Sequence, residues 1–207
     1  MKKDKSHGTN GTVNAGASQG RLLRGNGGFS ANHRNKRINL FGGASHGRGQ
    51  SFNNIDFQSV LNGIFQEEIN DSESEFSDYN YRLGLDYFIS EKSTIGFLTN
   101  FSTADRNVLG NNTISLSQND NRTVVDSILV ALSNSETSNQ NATFNVNYRF
   151  DDRDAQRSLN VDLDYGTYKR DATRFLPNEY FDASGENLLT TVINLSLIHI
   201  SEPTRPY

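Results

Sequence analysis

The chain of 207 residues contains no cysteine, which excludes disulfides and thiolate chemistry. Proline occurs 3 times, and the polar bulk of the chain is Asn, Ser, Gly and Thr. No run of about 18 apolar residues exists, which excludes a transmembrane helix. The first eleven residues are charged and then polar with no apolar stretch behind them, so no signal peptide is expected within them. A chain starting this way is expected to be a fragment that begins inside a longer precursor. There is also no continuous basic face. The net charge is -4, with Lys2, Lys3, Lys5, Arg21, Arg24, Arg34, Lys36, Arg37 and Arg48 gathered toward the start and acids dominating 67–86. Nucleic acid is therefore not expected as a partner.

What is present is an unusual mixture. Only 34% of residues are hydrophobic and the mean hydropathy is -0.66, yet there are 8 tyrosines and 13 phenylalanines. The chain is too aromatic for a disordered tract and too polar for a conventional core. Alternating strands that line a wet interior reconcile the two properties.

Residues 157–170 (RSLNVDLDYGTYKR) carry the clearest pattern. Leu159, Val161, Leu163 and Tyr165 fall on one face and Asn160, Asp162 and Asp164 on the other, a period of two that belongs to a strand. The same alternation predicts strands at 78–89, 94–103 and 141–150. Weaker strands are expected at 9–19, 27–34 and 37–48, with Ile38 and Leu40 facing one way and Phe41 the other, and an eighth begins at 188–195. Residues 123–132 have strand propensity and are expected to extend a hairpin. Connections near 35–36, 90–93 and 151–156 are short. Those at 49–77, 104–140 and 171–187 read as long loops, the first with a short helical turn in its apolar set. Short and long connections thus alternate, as in outer-membrane barrels.

The expected fold class is all-β, an antiparallel transmembrane outer-membrane β-barrel present as a partial barrel of about eight strands. Tyr79, Tyr81, Leu83, Leu85, Tyr87, Ile95, Phe97, Phe101, Phe144, Val146, Tyr148, Leu159, Val161, Leu163 and Tyr165 are expected to face lipid. Arg82, Asp86, Asn100, Asn145, Asn147, Arg149, Asp162 and Asp164 are expected to line the lumen, since a charge toward lipid is costly.

No catalytic constellation emerges, so no enzyme and no cofactor are expected. His7, His33, His46 and His199 have no metal-ligand spacing. Asp162 and Asp164 share a strand face and fit lumen lining better than a glycosidase pair. The aspartates of 151–154 lack the ligand spacing and following glutamate of a calcium loop. The glycines of 42–49 lack the Lys and Ser/Thr of a phosphate loop.

The segments GTNGTVNAGASQGR (8–21) and GGFSANHRNKRINLFGGASHGRG (27–49) resemble the opening barrel strands of a Bacteroidetes-type outer-membrane β-barrel family related to TonB-dependent receptors. The family's "NYRNKKxNLFG" corresponds to NHRNKRINLFG at 32–42, with His33 in place of tyrosine. YRLGLDYFISEKSTIGF at 81–97 and SLNVDLDYGTYKR at 158–170 resemble two further strands of that family. The resemblance spans roughly 8–195. It implies a parent with a plug and a larger barrel, outer-membrane lipid and the TonB system as partners through a plug absent from this chain, an unidentified ligand, and a place in the cell outer membrane.

Residues 196–207 (SLIHISEPTRPY) resemble translated sequencing-adapter read-through and are expected to be a non-native tail. The expected organisation is then a plug-to-barrel junction at 1–8, a partial barrel at 9–195 and that tail. The leading function is part of an outer-membrane receptor or transporter. The alternatives are a non-transport barrel of an envelope assembly, or a soluble extracellular β-rich module that binds glycan or protein.

Overall fold

The alternating stretches do form strands, and each strand runs far past the stretch that announces it. A computed structural model describes residues 7–118 and 124–201, with backbone alone for 198–201. Eight strands follow in chain order: β1 (Gly8–Gln19), β2 (Leu23–Arg34), β3 (Ile38–Leu61), β4 (Ile64–Phe88), β5 (Ser93–Gln118), β6 (Ser127–Asp152), β7 (Arg157–Asp182) and β8 (Asn187–Ser201). All pair antiparallel with their sequence neighbours, in the order β1 to β8. At about 3.4 Å per residue, the central strands are about 85 Å long.

The long loops expected at 49–77, 104–140 and 171–187 are corrected by this pairing. Residues 49–61 and 64–76 are the two arms of one hairpin, paired from Gly49↔Phe76 to Leu61↔Ile64. Its turn is Asn62-Gly63, both with positive φ (53° and 81°). An Asn-Gly pair in that conformation matches the twist of the flanking strands and fixes a two-residue hairpin. No helical turn forms in this segment, because cross-strand polar pairs hold it extended. Ser51 and Ser74 hydroxyls meet at 2.6 Å, Gln50 donates to Glu75 at 2.6 Å and Gln58 to Glu67 at 2.7 Å. Between β7 and β8, Asp182 closes the turn by accepting from the Ser184 amide and hydroxyl and the Glu186 amide. The strand propensity read at 123–132 is realised from Ser127 onward in β6, while Thr123 lies outside the described residues. The difference between short and long connections was the basis for the barrel polarity, and it does not survive the tight turns at 62–63 and 183–186.

The closed transmembrane barrel is corrected by the topology. No pairing joins β8 to β1 among the described residues, each strand touches only its neighbours in sequence, and β1 and β8 are the two edges of an open sheet. Closure was the premise of the lipid argument, since a free edge in hydrocarbon leaves its N–H and C=O groups unpaired. Within the expected tail, 196–201 continue β8 along 168–173 of β7. Residues 1–6 and 202–207 lie outside the described residues.

An open single sheet buries almost nothing by itself. Phe65 is the one buried apolar side chain among the described residues, beside its cross-strand partner Ser117. What the sheet does provide is two chemically distinct faces. The turns at 35–37, 89–92 and 153–156 lie at one end, and we term the half of the sheet next to them the near half. The half toward 62–63 and 183–186 is the far half.

Candidate binding face

Cross-strand register places residues directly opposite one another on the same face. Following it from Asn39 gives Asn39↔Asp86↔Gly96↔Asn147↔Asp162, all on one face of the near half. One residue along, Leu40↔Leu85↔Phe97↔Val146↔Leu163 runs across the other. All fifteen residues expected to face lipid lie on this second face, and all eight expected to line a lumen lie on the first. The separation into two faces holds. The media assigned to them depended on closure and are withdrawn with it.

On the polar face the side chains are tied into rows across the strands. Asn32 donates to Asn39 at 2.9 Å, and Asn39 donates to Asp86 at 2.9 Å. Asn100 donates to Thr143 at 3.1 Å. Asn147 donates to Asn145 at 2.9 Å, which donates to Asp164 at 2.7 Å. Each amide has both a donor and an acceptor end. A row of amides therefore keeps hydrogen-bonding capacity to offer outward after satisfying its neighbours. Arg149 turns toward Asp151 at 3.4 Å.

Phe41 is an apolar side chain on this polar surface, as are Leu98 and Phe88, and its partner strand accommodates it. The ring lies across Gly84, where a Cβ would stand 2.2 Å from Phe41 Cζ. Any side chain at 84 would have to displace the ring, so this close approach requires glycine. The Arg82 guanidinium lies 5.8 Å from the same ring, in cation–π contact. Together Asn39, Phe41, Asn80, Arg82, Asn100 and the Asn10–Asn14 side of β1 border an open trough of about 950 Å³.

Arg82, Asp86 and Asn100 were thus identified from sequence and come together here. Asn32, Asn39 and Gly84 were missed. The signal for Phe41 was present in its opposition to Ile38 and Leu40, but its landing site on Gly84 needs the register between β3 and β4.

The remaining chemistry-bearing residues are accounted for by local contacts. His33 Nδ1 is 2.7 Å from the Thr9 hydroxyl, and His46 stacks on Tyr79 at 4.2 Å. The His199 side chain lies outside the description. Asp152 is bridged by Lys92 at 2.7 Å, and Asp151 faces Arg149 and Arg153. The Lys92 hydrogen bond holds the Asp152 carboxyl below the usual range, and the Ser184 hydroxyl does the same for Asp182. Among the described residues, no group of three or more His, Asp or Glu side chains is placed to hold a metal ion. The glycines of 42–49 lie within strand β3.

No protein-family model matches the chain, and no curated protein matches it. The resemblance to the Bacteroidetes-type outer-membrane family is corrected accordingly: its short motifs describe alternating strands and do not extend to a family match. The receptor or transporter function, the outer-membrane location, and the lipid and TonB partners rested on that resemblance together with closure. The open sheet removes their structural basis, and with it the non-transport barrel alternative.

Proposed function

We propose that this chain is a non-catalytic, β-rich binding module whose polar near face takes a glycan. The observation that carries the reading is Phe41 lying across Gly84 beside the Asn32–Asn39–Asp86 row and Arg82. A sugar ring presents adjacent hydroxyls, each both donor and acceptor, around a less polar C–H surface. Carboxamides and a carboxylate in a row can match the hydroxyls, and an aromatic ring can receive the C–H surface. An open trough on rigid strands suits an extended chain of sugars, whose ends can run past the site. No nucleophile or acid–base pair is needed for this role. Asp164 is held by Asn145 at 2.7 Å, and the Asp162 and Asp164 pair belongs to the same binding surface.

The test is binding of the full chain to an array of neutral and acidic hexasaccharides, followed by calorimetry on those retained. We expect Phe41→Ala to weaken binding at least tenfold and Asn39→Ala by several-fold, with the far-ultraviolet β signal unchanged. Retention of no hexasaccharide by the native chain, or equal affinity in F41A, would refute the reading.

A further inference from the structure

We propose that the apolar face of the near half is the interface of a face-to-face dimer of this chain. The face opposite the trough carries no charge among the fifteen apolar positions that span β4 to β7. Fourteen of them keep between 38% and 61% of their surface exposed. With aromatic residues offering ~150–250 Å² each, this is on the order of 1,000 Å² per copy. A pair of copies would bury about 2,000 Å², the upper end of a standard stable interface. A single sheet has no second layer of its own, and sheets with one apolar face are stabilised by stacking about 10 Å from another.

Shape favours a second copy of the same chain. At the β7 side Leu159, Val161, Leu163 and Tyr165 stand exposed along a free edge, since β8 pairs with β7 only from Tyr168 on. At the β2–β3 side, Ala31, Gly42 and Ala44 leave a hollow of about 530 Å³ walled by Phe29, Tyr81 and Phe101. A two-fold axis parallel to the strands sets β7 of each copy over β3 of the other and keeps both apolar bands at one height, with Leu163 level with Leu40 and Tyr165 level with the hollow at Gly42. Such a contact is isologous and closes at two copies. It also places the net-acidic belt of Glu75, Asp105, Glu136 and Asp171, on the same face beyond the band with Arg48 and Lys169 among them and Lys169 paired to Asp171 at 2.8 Å, opposite its own copy. Dimerisation should therefore strengthen as salt screens the belts. The inference concerns the face opposite the trough and does not depend on the glycan reading.

Sedimentation of the full chain in aqueous buffer should give twice the chain mass of 23.1 kDa, with association tightening from low to moderate salt. Leu163→Asp should weaken association at least a hundredfold, and Arg157→Glu, at the turn, should leave it unchanged. The absence of cysteine allows a second readout that needs no destabilising charge. Chains carrying only L163C and chains carrying only L40C, which the register puts at one level, when mixed and oxidised, should form the mixed disulfide in preference to either self-pair. A monomeric native chain would overturn the proposal, as would a preference for self-pairs. So would open-ended assemblies dissolved by Thr12→Pro and untouched by L163D, which would indicate edge pairing, or a chain that stays monomeric until it inserts into phosphatidylcholine vesicles.

Discussion

The near and far halves of the sheet are built from the same strands and solve the same backbone problem with different side chains. In the near half, alternation is strict: Leu83, Leu85 and Tyr87 stand opposite Arg82, Gly84 and Asp86 along a single strand. In the far half, Ile55, Phe57, Ile114 and Leu116 lie on the same face that is polar in the near half. Gln50–Glu75 and Gln58–Glu67 pairs hold the opposite face there. Both halves are equally extended. Clean amphipathicity therefore sorts a strand's faces, while the neighbouring strand and the turn decide whether it is a strand at all.

The largest difference between the halves should appear on substituting their glycines. Gly84→Leu forces Phe41 off its seat, an overpacking cost of ~1–3 kcal/mol, and should also abolish hexasaccharide binding. Its effect should be read as a lower unfolding midpoint, with loss of the Phe41 contacts in proton spectra. If G84L unfolds with the native midpoint, the close approach in the near half does not constrain the sheet.

Gly63→Val probes the far half. Gly63 has φ 81°, which a β-branched residue adopts only under strain, costing about 1–2 kcal/mol. Amide exchange should accelerate first at 55–70 and leave 80–100 protected. Uniform acceleration across both regions would show that the halves unfold as one unit and would remove the distinction drawn between them.

The smallest effect is expected from acid, which reaches one turn at each end. Asp152, held low by Lys92, lies at the near end, and Asp182, held low by Ser184, lies at the far end. A depressed folded value means that each contact stabilises its turn above the unfolded carboxylate value of about 3.9. The contribution is then lost as pH falls through the lower folded value. Carboxyl carbon shifts should show Asp152 titrating higher in Lys92→Met and Asp182 higher in Ser184→Ala, each without moving the other. If either substitution leaves its aspartate unmoved, the assigned contact is not the cause.

This contrast also explains what could be read from the residues alone. The near strands were legible because Leu159, Val161, Leu163 and Tyr165 alternate with polar partners without interruption. The far strands were read as loops because runs such as EEINDSESE have no apolar period. Their extension is set by the Asn62-Gly63 turn and by cross-strand partners, which only the register reveals. The turn signal itself was present in the sequence and was passed over. Openness was the least legible feature of all. Alternation describes how a strand meets its two faces, and a strand at the edge of an open sheet alternates as one inside a closed wall does. The trough was legible in part, through Arg82, Asp86 and Asn100, whereas Gly84 acquires meaning only when Phe41 is seen lying across it.

The account rests on β1 and β8 being separate edges, and one distance tests that directly. Ser18 and Leu195 lie near the same level of the sheet when followed strand by strand through the register. Spin labels at S18C and L195C, diluted with unlabelled chain and measured by pulsed dipolar spectroscopy, should be separated by ~35 Å, seven spacings of about 4.8 Å. A separation under about 15 Å would place the two strands side by side and contradict the open sheet.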